Sequence, residues 1–261
     1  NSLRRYIMLG LGNSITGGAA LDDFTPANIA NLALWLKNGT GITSDGGTPD
    51  KVSQWDDSSG NDNHAVQSTS GNQASLVSGG LDFEEDNQHH YDLDTNGNAG
   101  GKITVSQNHN FIVGFVVTPE NPTTGGTAHR NCVLGDDGNE FIDFQSDKVA
   151  INCSGTETTY VGDSALFSDG TIAAVVISRN DGSTGTFNIT INGVTPAGSY
   201  FGTTQTNPKA VEFTEIGVRD GSQRPLDGII HELVVYDFGT GTHTAAELTA
   251  LTNYFTSKFG I

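Results

Sequence analysis

Cations are scarce in this sequence. Twelve Lys and Arg stand against 30 Asp and Glu over 261 residues, a formal net charge of −18. Nucleic-acid binding draws on a basic surface that neutralises phosphates, so that class of partner is excluded. Cysteine is also scarce, with only Cys132 and Cys153. A disulfide framework is therefore not the stabilising plan, and two unbridged thiols are expected. No apolar run approaches the ~18 residues of a membrane-spanning helix. The apolar stretch near the start is short and broken by Gly10, Gly12 and Asn13, unlike a secretory leader. Sequence patterns for a serine nucleophile elbow, a zinc-binding HExxH or a CxxC pair are missing.

What is abundant is glycine, at 34 residues, together with many Thr, Asn, Ser and Asp. Short strands joined by tight turns need this composition. Strands are expected at residues 32–36, 111–117, 141–144, 148–152, 171–177, 187–191, 211–218 and 229–236. Phe187, Ile189 and Ile191 alternate with Asn188, Thr190 and Asn192, a half-buried strand closed by the Asn192-Gly193 turn. Residues 172–177 are almost continuously apolar, as in a strand covered on both faces. A short helix is expected from Thr25-Pro26 to about Asn31, since Thr caps and Pro opens a helix. A longer helix closes the chain. Thr244 and Glu247 form a capping box, Leu248, Leu251, Phe255 and Phe259 follow at helical spacing, and Gly260 stands at the C-cap. The pattern is all-β, a two-sheet sandwich in one domain over residues 25–261.

Residues 1–24 stand apart, as an edge strand of the sandwich or as an extended arm. Arg4, Arg5, Tyr6, Ile7 and Leu9 precede a Gly-rich stretch, an arrangement that suits docking on a neighbouring chain.

Four segments resemble the concanavalin A-like lectin/glucanase (laminin G-like) superfamily: Leu32-Ala-Leu-Trp-Leu-Lys37, the stretch from Val52 through Trp55-Asp-Asp-Ser-Ser-Gly-Asn-Asp-Asn-His-Ala65, Leu81-Asp-Phe-Glu-Glu-Asp86, and Gly228-Ile-Ile-His-Glu-Leu-Val-Val-Tyr-Asp237 with the closing helix. The third lacks the family's usual Gly. The resemblance implies an antiparallel jelly roll. More specifically, the segments resemble the versions found in bacterial surface proteins and in virion proteins of tailed bacteriophages, the marine ones by the opening segment. That likeness implies a non-enzymatic structural role in the virion, most simply capsid decoration held through the arm. Its partners would be other virion proteins of capsid, tail or neck, within a homo-oligomeric assembly, with neither nucleic acid nor membrane bound. The alternative is a lectin-like carbohydrate-binding module on a phage tail or cell surface, taking a host-surface glycan.

The glucanase members' E-x-D-x-E strand has no counterpart here. Glu84, Glu85 and Asp86 are consecutive and do not share a face, although Asp82 and Glu84 do. His89 and His90 point opposite ways by the same alternation. The 56–63 loop offers oxygen ligands on a tight turn, as a hard cation prefers. By the resemblance, Asp57, Asn61, Asn63 and Asp227 are the candidates for a structural calcium. The competing reading is turn chemistry, in which Asp and Asn bond their own backbone. Trp35 and Trp55 read as core. Tyr160, Tyr200 and Phe201, in loops rich in Gly and Thr, are the candidate glycan contacts.

Overall fold

The computed structural model describes residues 24–95, 98–99, 101–123, 130–201 and 205–261. The arm residues Arg4, Arg5, Tyr6, Ile7 and Leu9 lie outside them.

Every strand pairing is antiparallel, and the strands form two main sheets. In the first, the order is β16 (Thr186–Ile191), β15 (Ala173–Asn180), β10 (Asn110–Pro119), β20 (Gly228–Gly239), β6 (Gly80–Phe83) and β5 (Ser75–Val77), with β1 (Leu32–Leu36) also on β20. In the second, it is β17 (Gly198–Tyr200), β14 (Thr156–Gly162), β13 (Lys148–Cys153), β12 (Phe141–Gln145), β11 (Asn131–Gly135), β19 (Glu215–Ile216), β7 (Tyr91–Thr95), β4 (Asn63–Val66), β3 (Val52–Trp55) and β2 (Ile42–Ser44), with β8 (Asn98–Ala99) on β7. β9 (Ile103–Val105) and β18 (Val211–Phe213) form a separate pair. The all-β sandwich expected from the turn-rich composition is the fold observed.

Side-chain alternation explains why the central strands are so apolar. On β10, Phe111, Val113, Phe115 and Val117 enter the core between the sheets. Ile112 and Val116 point the other way, into a second core beneath the C-terminal helix α1 (Ala245–Phe259). Ala174 and Val176 of β15 and Val234 and Tyr236 of β20 join that second core. The expectation of a strand covered on both faces at 172–177 is met because α1 lies on one face.

The capping box at Thr244 and Glu247 and the left-handed Gly260 cap both form, and Leu251 and Phe255 are buried by α1. The short opening helix is only a single 3-10 turn, Pro26–Asn28. Residues 211–218, expected as one strand, divide between β18 and β19 in different sheets. The tryptophans are in the core: the Trp35 indole N–H donates to Glu232 and that of Trp55 to the Lys37 carbonyl.

Gly114 sets how closely α1 approaches the sheet. A Cβ there would lie 2.8 Å from the Phe255 ring and 3.1 Å from Val234. Gly114→Ala is expected to destabilise the fold by about 1–3 kcal/mol through overpacking, less about 0.5–1 kcal/mol of backbone entropy that alanine recovers. Urea unfolding measures this, and a variant as stable as the parent would refute the close contact.

Candidate functional site

The outward face of β12, β13 and β14 carries polar side chains around a small buried apolar cluster of Cys132, Phe141 and Ala150. Ile142, Phe144, Val149, Ile151 and Tyr160 face the core. Alternation then turns Phe141, Asp143 and Gln145, Lys148, Ala150 and Asn152, and Glu157, Thr159 and Val161 outward. Register aligns these residues in rows: Asp143 opposite Ala150 opposite Thr159, and Gln145 opposite Lys148 opposite Val161.

Arg130, just before β11, crosses this face and ties its acids together. Its Nε lies 3.0 Å from an Asp143 oxygen, and its two terminal nitrogens donate to both Glu157 oxygens at 3.3 and 2.9 Å. Arg224 donates to Asp143 from the other side. Asp143 is 1 % exposed. Burial pushes its carboxyl up to about 6, against the pull of Arg130 and Arg224. Burial also acts to raise Glu157, but the Arg130 and Thr159 hydrogen bonds outweigh it and the carboxyl is held below its ordinary value. Three guanidinium groups, from Arg224, Arg219 and Arg130, surround the Phe141 ring at 4.4, 4.7 and 5.6 Å. The face is thus pre-organised before any ligand arrives.

Beside these strands lies an open groove of about 170 Å3, lined by Arg130, Gln145, Lys148, Glu157, Thr159 and Phe201. Phe201 follows β17, and its N–H donates to the Thr159 carbonyl at 2.7 Å. That bond sets Phe201 on the same outward face as Thr159. Its ring is 76 % exposed, and only one other large apolar side chain, Val194, is comparably exposed among the described residues.

The other expected glycan contacts lie elsewhere. Tyr160 is a core residue whose hydroxyl donates to the Pro196 carbonyl. Tyr200 meets it edge-on at 5.1 Å and donates to the Phe187 carbonyl. Both point inward because Tyr160 on β14 and Tyr200 on β17 stand opposite each other in paired strands, so Tyr160 and Tyr200 are corrected to structural roles. The groove's polar floor has no forerunner in the sequence reading; the signal was a lone charge inside an apolar strand, Asp143 in Phe141-Ile-Asp-Phe144.

The expected calcium ligands do not come together as a cage. Asp57 accepts hydrogen bonds from the Trp35, Ser59 and Asn63 backbone N–H groups and from the Ser59 hydroxyl. Those donors occupy its lone pairs, so turn chemistry accounts for it. The amides of Asn61 and Asn63 donate to carbonyls of Leu32 and Ala33. Asp227 sits with a different group: Asp82, Glu84 and Glu120 are raised first by burial and then by repulsion from one another and from Asp227. A further trio that sequence reasoning missed, Asp136, Glu140 and Glu212, brings carboxylate oxygens within 4.8 Å of one another. Lys102 pairs with Glu212, and the Thr214 and Ser154 hydroxyls engage Asp136 and Glu140. His89 is buried and accepts the Glu84 N–H, whereas His90 is turned to the Gln88 carbonyl. Cys132 and Cys153 are buried, unbridged thiols, both raised by burial, Cys153 to about 12.

No family model and no curated protein matches the chain. Among solved structures, Trypanosoma rangeli sialidase in complex with sialic acid aligns at TM-score 0.52 and 16% identity, over 90% of this chain and 35% of the sialidase. The botulinum neurotoxin type G receptor-binding domain aligns at TM-score 0.41 and 15% identity, over 87% of this chain and 52% of that one. Domain 4 of a Geobacillus stearothermophilus GH43 extracellular arabinanase, solved with arabinotriose, aligns at TM-score 0.43 and 21% identity, over 85% and 98%. This chain therefore spans about a third of the sialidase and half of the toxin domain. At these identities the likeness to the sialidase is one of fold.

Proposed function

We propose that this chain is a non-enzymatic carbohydrate-binding module and that the groove beside Phe201 holds the sugar. The observation that carries the reading is an exposed aromatic plate on the rim of a groove floored by rigidly held polar groups. An apolar ring face stacks on an aromatic, and sugar hydroxyls meet fixed donors and acceptors such as Glu157 and Thr159. At about 170 Å3 the groove is smaller than the ~300 Å3 of sites that engulf a whole ligand. It suits one residue of a longer glycan. Jelly-roll sandwiches include lectin domains. Both groove-face carboxylates are tied to Arg130, and Asp143 is shut away from solvent, which favours binding over acid–base catalysis. The virion reading depends on the arm at residues 1–24, of which all but Phe24 lie outside the described residues, and on motif resemblance alone; the groove gives the alternative the stronger support.

A glycan array probed with the intact chain tests this. Phe201→Ala is expected to weaken each interaction at least tenfold, about 1.4 kcal/mol, without changing thermal unfolding, because Phe201 contributes exposed surface and not core. A silent array, or hits that survive Phe201→Ala unchanged, would sink the reading.

A further inference from the structure

We infer that the glycan taken by this groove is acidic, carrying a carboxylate or sulfate that meets Lys148; the inference rests on the carbohydrate-binding reading above. Three charged residues line the groove, Arg130, Lys148 and Glu157. Arg130 is consumed by Asp143 and Glu157, which take its Nε and both terminal nitrogens. Glu157 in turn is held in a fork by Arg130 and by the Thr159 hydroxyl at 2.8 Å. Lys148 is different: among the described residues its ammonium has neither ion pair nor hydrogen bond. Its chain neighbour Asp147 sits in the β12–β13 turn and makes no ion pair with it. The groove's one uncompensated charge is therefore positive, in a chain whose net charge is −18.

Placement supports the same partner. Lys148 pairs with Val161 on β14, while Phe201 runs along the other side of β14 against Thr159. By register they are two strand spacings across and two residues along from each other, a backbone separation of about 12 Å. A sugar ring stacked on Phe201 thus presents a ring substituent toward Lys148 across a floor of Thr159 and Val161. Because the protein as a whole repels polyanions, selective capture of an acidic sugar requires such a local contact.

The test uses matched pairs on a common sugar backbone, one member acidic and the other neutral at the substituent, titrated calorimetrically into the intact chain: oligogalacturonate against its methyl ester, and carrageenan oligosaccharides before and after desulfation. The expected result is at least one pair in which the acidic member binds about tenfold more tightly, the gap shrinking with added salt. Which pair shows it separates carboxylate from sulfate. Lys148→Gln is expected to bring the acidic ligand down to its neutral twin. Equal affinity within both pairs, a gap that persists in Lys148→Gln, or binding to none of the four overturns the inference. The array decides the carbohydrate reading separately, since neutral hits abolished by Phe201→Ala leave that reading standing when this one fails.

Discussion

Asp143→Ala is expected to destabilise the protein by about 3–5 kcal/mol at neutral pH, and Asp143→Asn by far less. The carboxyl is 1 % exposed and sits between Arg130 and Arg224, whose side chains are 11 % and 12 % exposed. Removing it strands two largely buried guanidinium groups, while an amide still accepts from both. The loss reaches the groove, because Arg130 is held by Asp143 and itself holds Glu157. Chemical denaturation measures the effect. An Asp143→Ala protein within about 1 kcal/mol of the parent, the worth of a surface ion pair, would show that the network contributes no more than one.

The same residue makes stability depend on pH. Its folded value of about 6 lies above the unfolded value of about 3.9. Between those values the folded state binds a proton that the unfolded state has released. Asp143 therefore costs stability as pH rises from about 4 through about 6, and the cost is complete above that. Two units correspond to about 3 kcal/mol. The parent is thus expected to lose about that much relative to Asp143→Asn between pH 4 and pH 7. Parallel profiles for the two proteins would mean that the guanidinium groups, and not burial, set this carboxyl.

The architecture was legible in the sequence where one segment carries its own pattern. Period-2 alternation marked β16, the capping box and apolar stripe marked α1, and the almost unbroken apolar run at 172–177 announced a strand buried on both faces. Misreadings arose where the outcome depends on partners far along the chain. Tyr160 looks like a loop residue in Thr156-Glu-Thr-Thr-Tyr160 until pairing with β13 and β17 makes the segment a strand and turns the ring inward. Phe201 was identified but its neighbours were not. Asp143, Lys148 and Glu157 come together only through the register of β12, β13 and β14, with Arg130 reaching them from the start of β11, and a shift of any of these three strands by one residue would send its member to the core face. The Asp57 loop stayed open for the opposite reason: oxygen-rich turns suit a cation and their own backbone equally well, and the four donors around Asp57 are visible only in the fold.

A comparable cost is expected on the opposite face of the sandwich, where Glu232→Ala removes one acceptor shared by three donors. Glu232 is fully buried on β20 beneath α1. It accepts from the Trp35 indole at 2.7 Å, the Tyr254 hydroxyl at 2.8 Å and Lys258 at 2.5 Å. One carboxylate thus joins β1 to two successive turns of α1, across 197 residues of sequence in the case of Trp35. Alanine leaves the buried Trp35 indole N–H and the Tyr254 hydroxyl without their acceptor, at about 1–3 kcal/mol for each buried donor left unmade, while Lys258 keeps the Tyr254 hydroxyl. Glu232→Gln is expected to cost less, because its oxygen still serves Trp35 and Tyr254 and only the Lys258 contact is lost. Denaturation gives the total, and amide exchange across residues 245–259 locates it, since α1 should open well before the sheets do. Exchange in α1 that stays as slow as in β10 and β15 would mean that the apolar contacts of Leu251 and Phe255 hold the helix without the carboxylate. Glycan binding should survive where the fold does, because the Phe201 groove lies on the outward face of the other sheet. A Glu232→Ala protein that remains folded but loses its sugar would show instead that the two faces are coupled through the core.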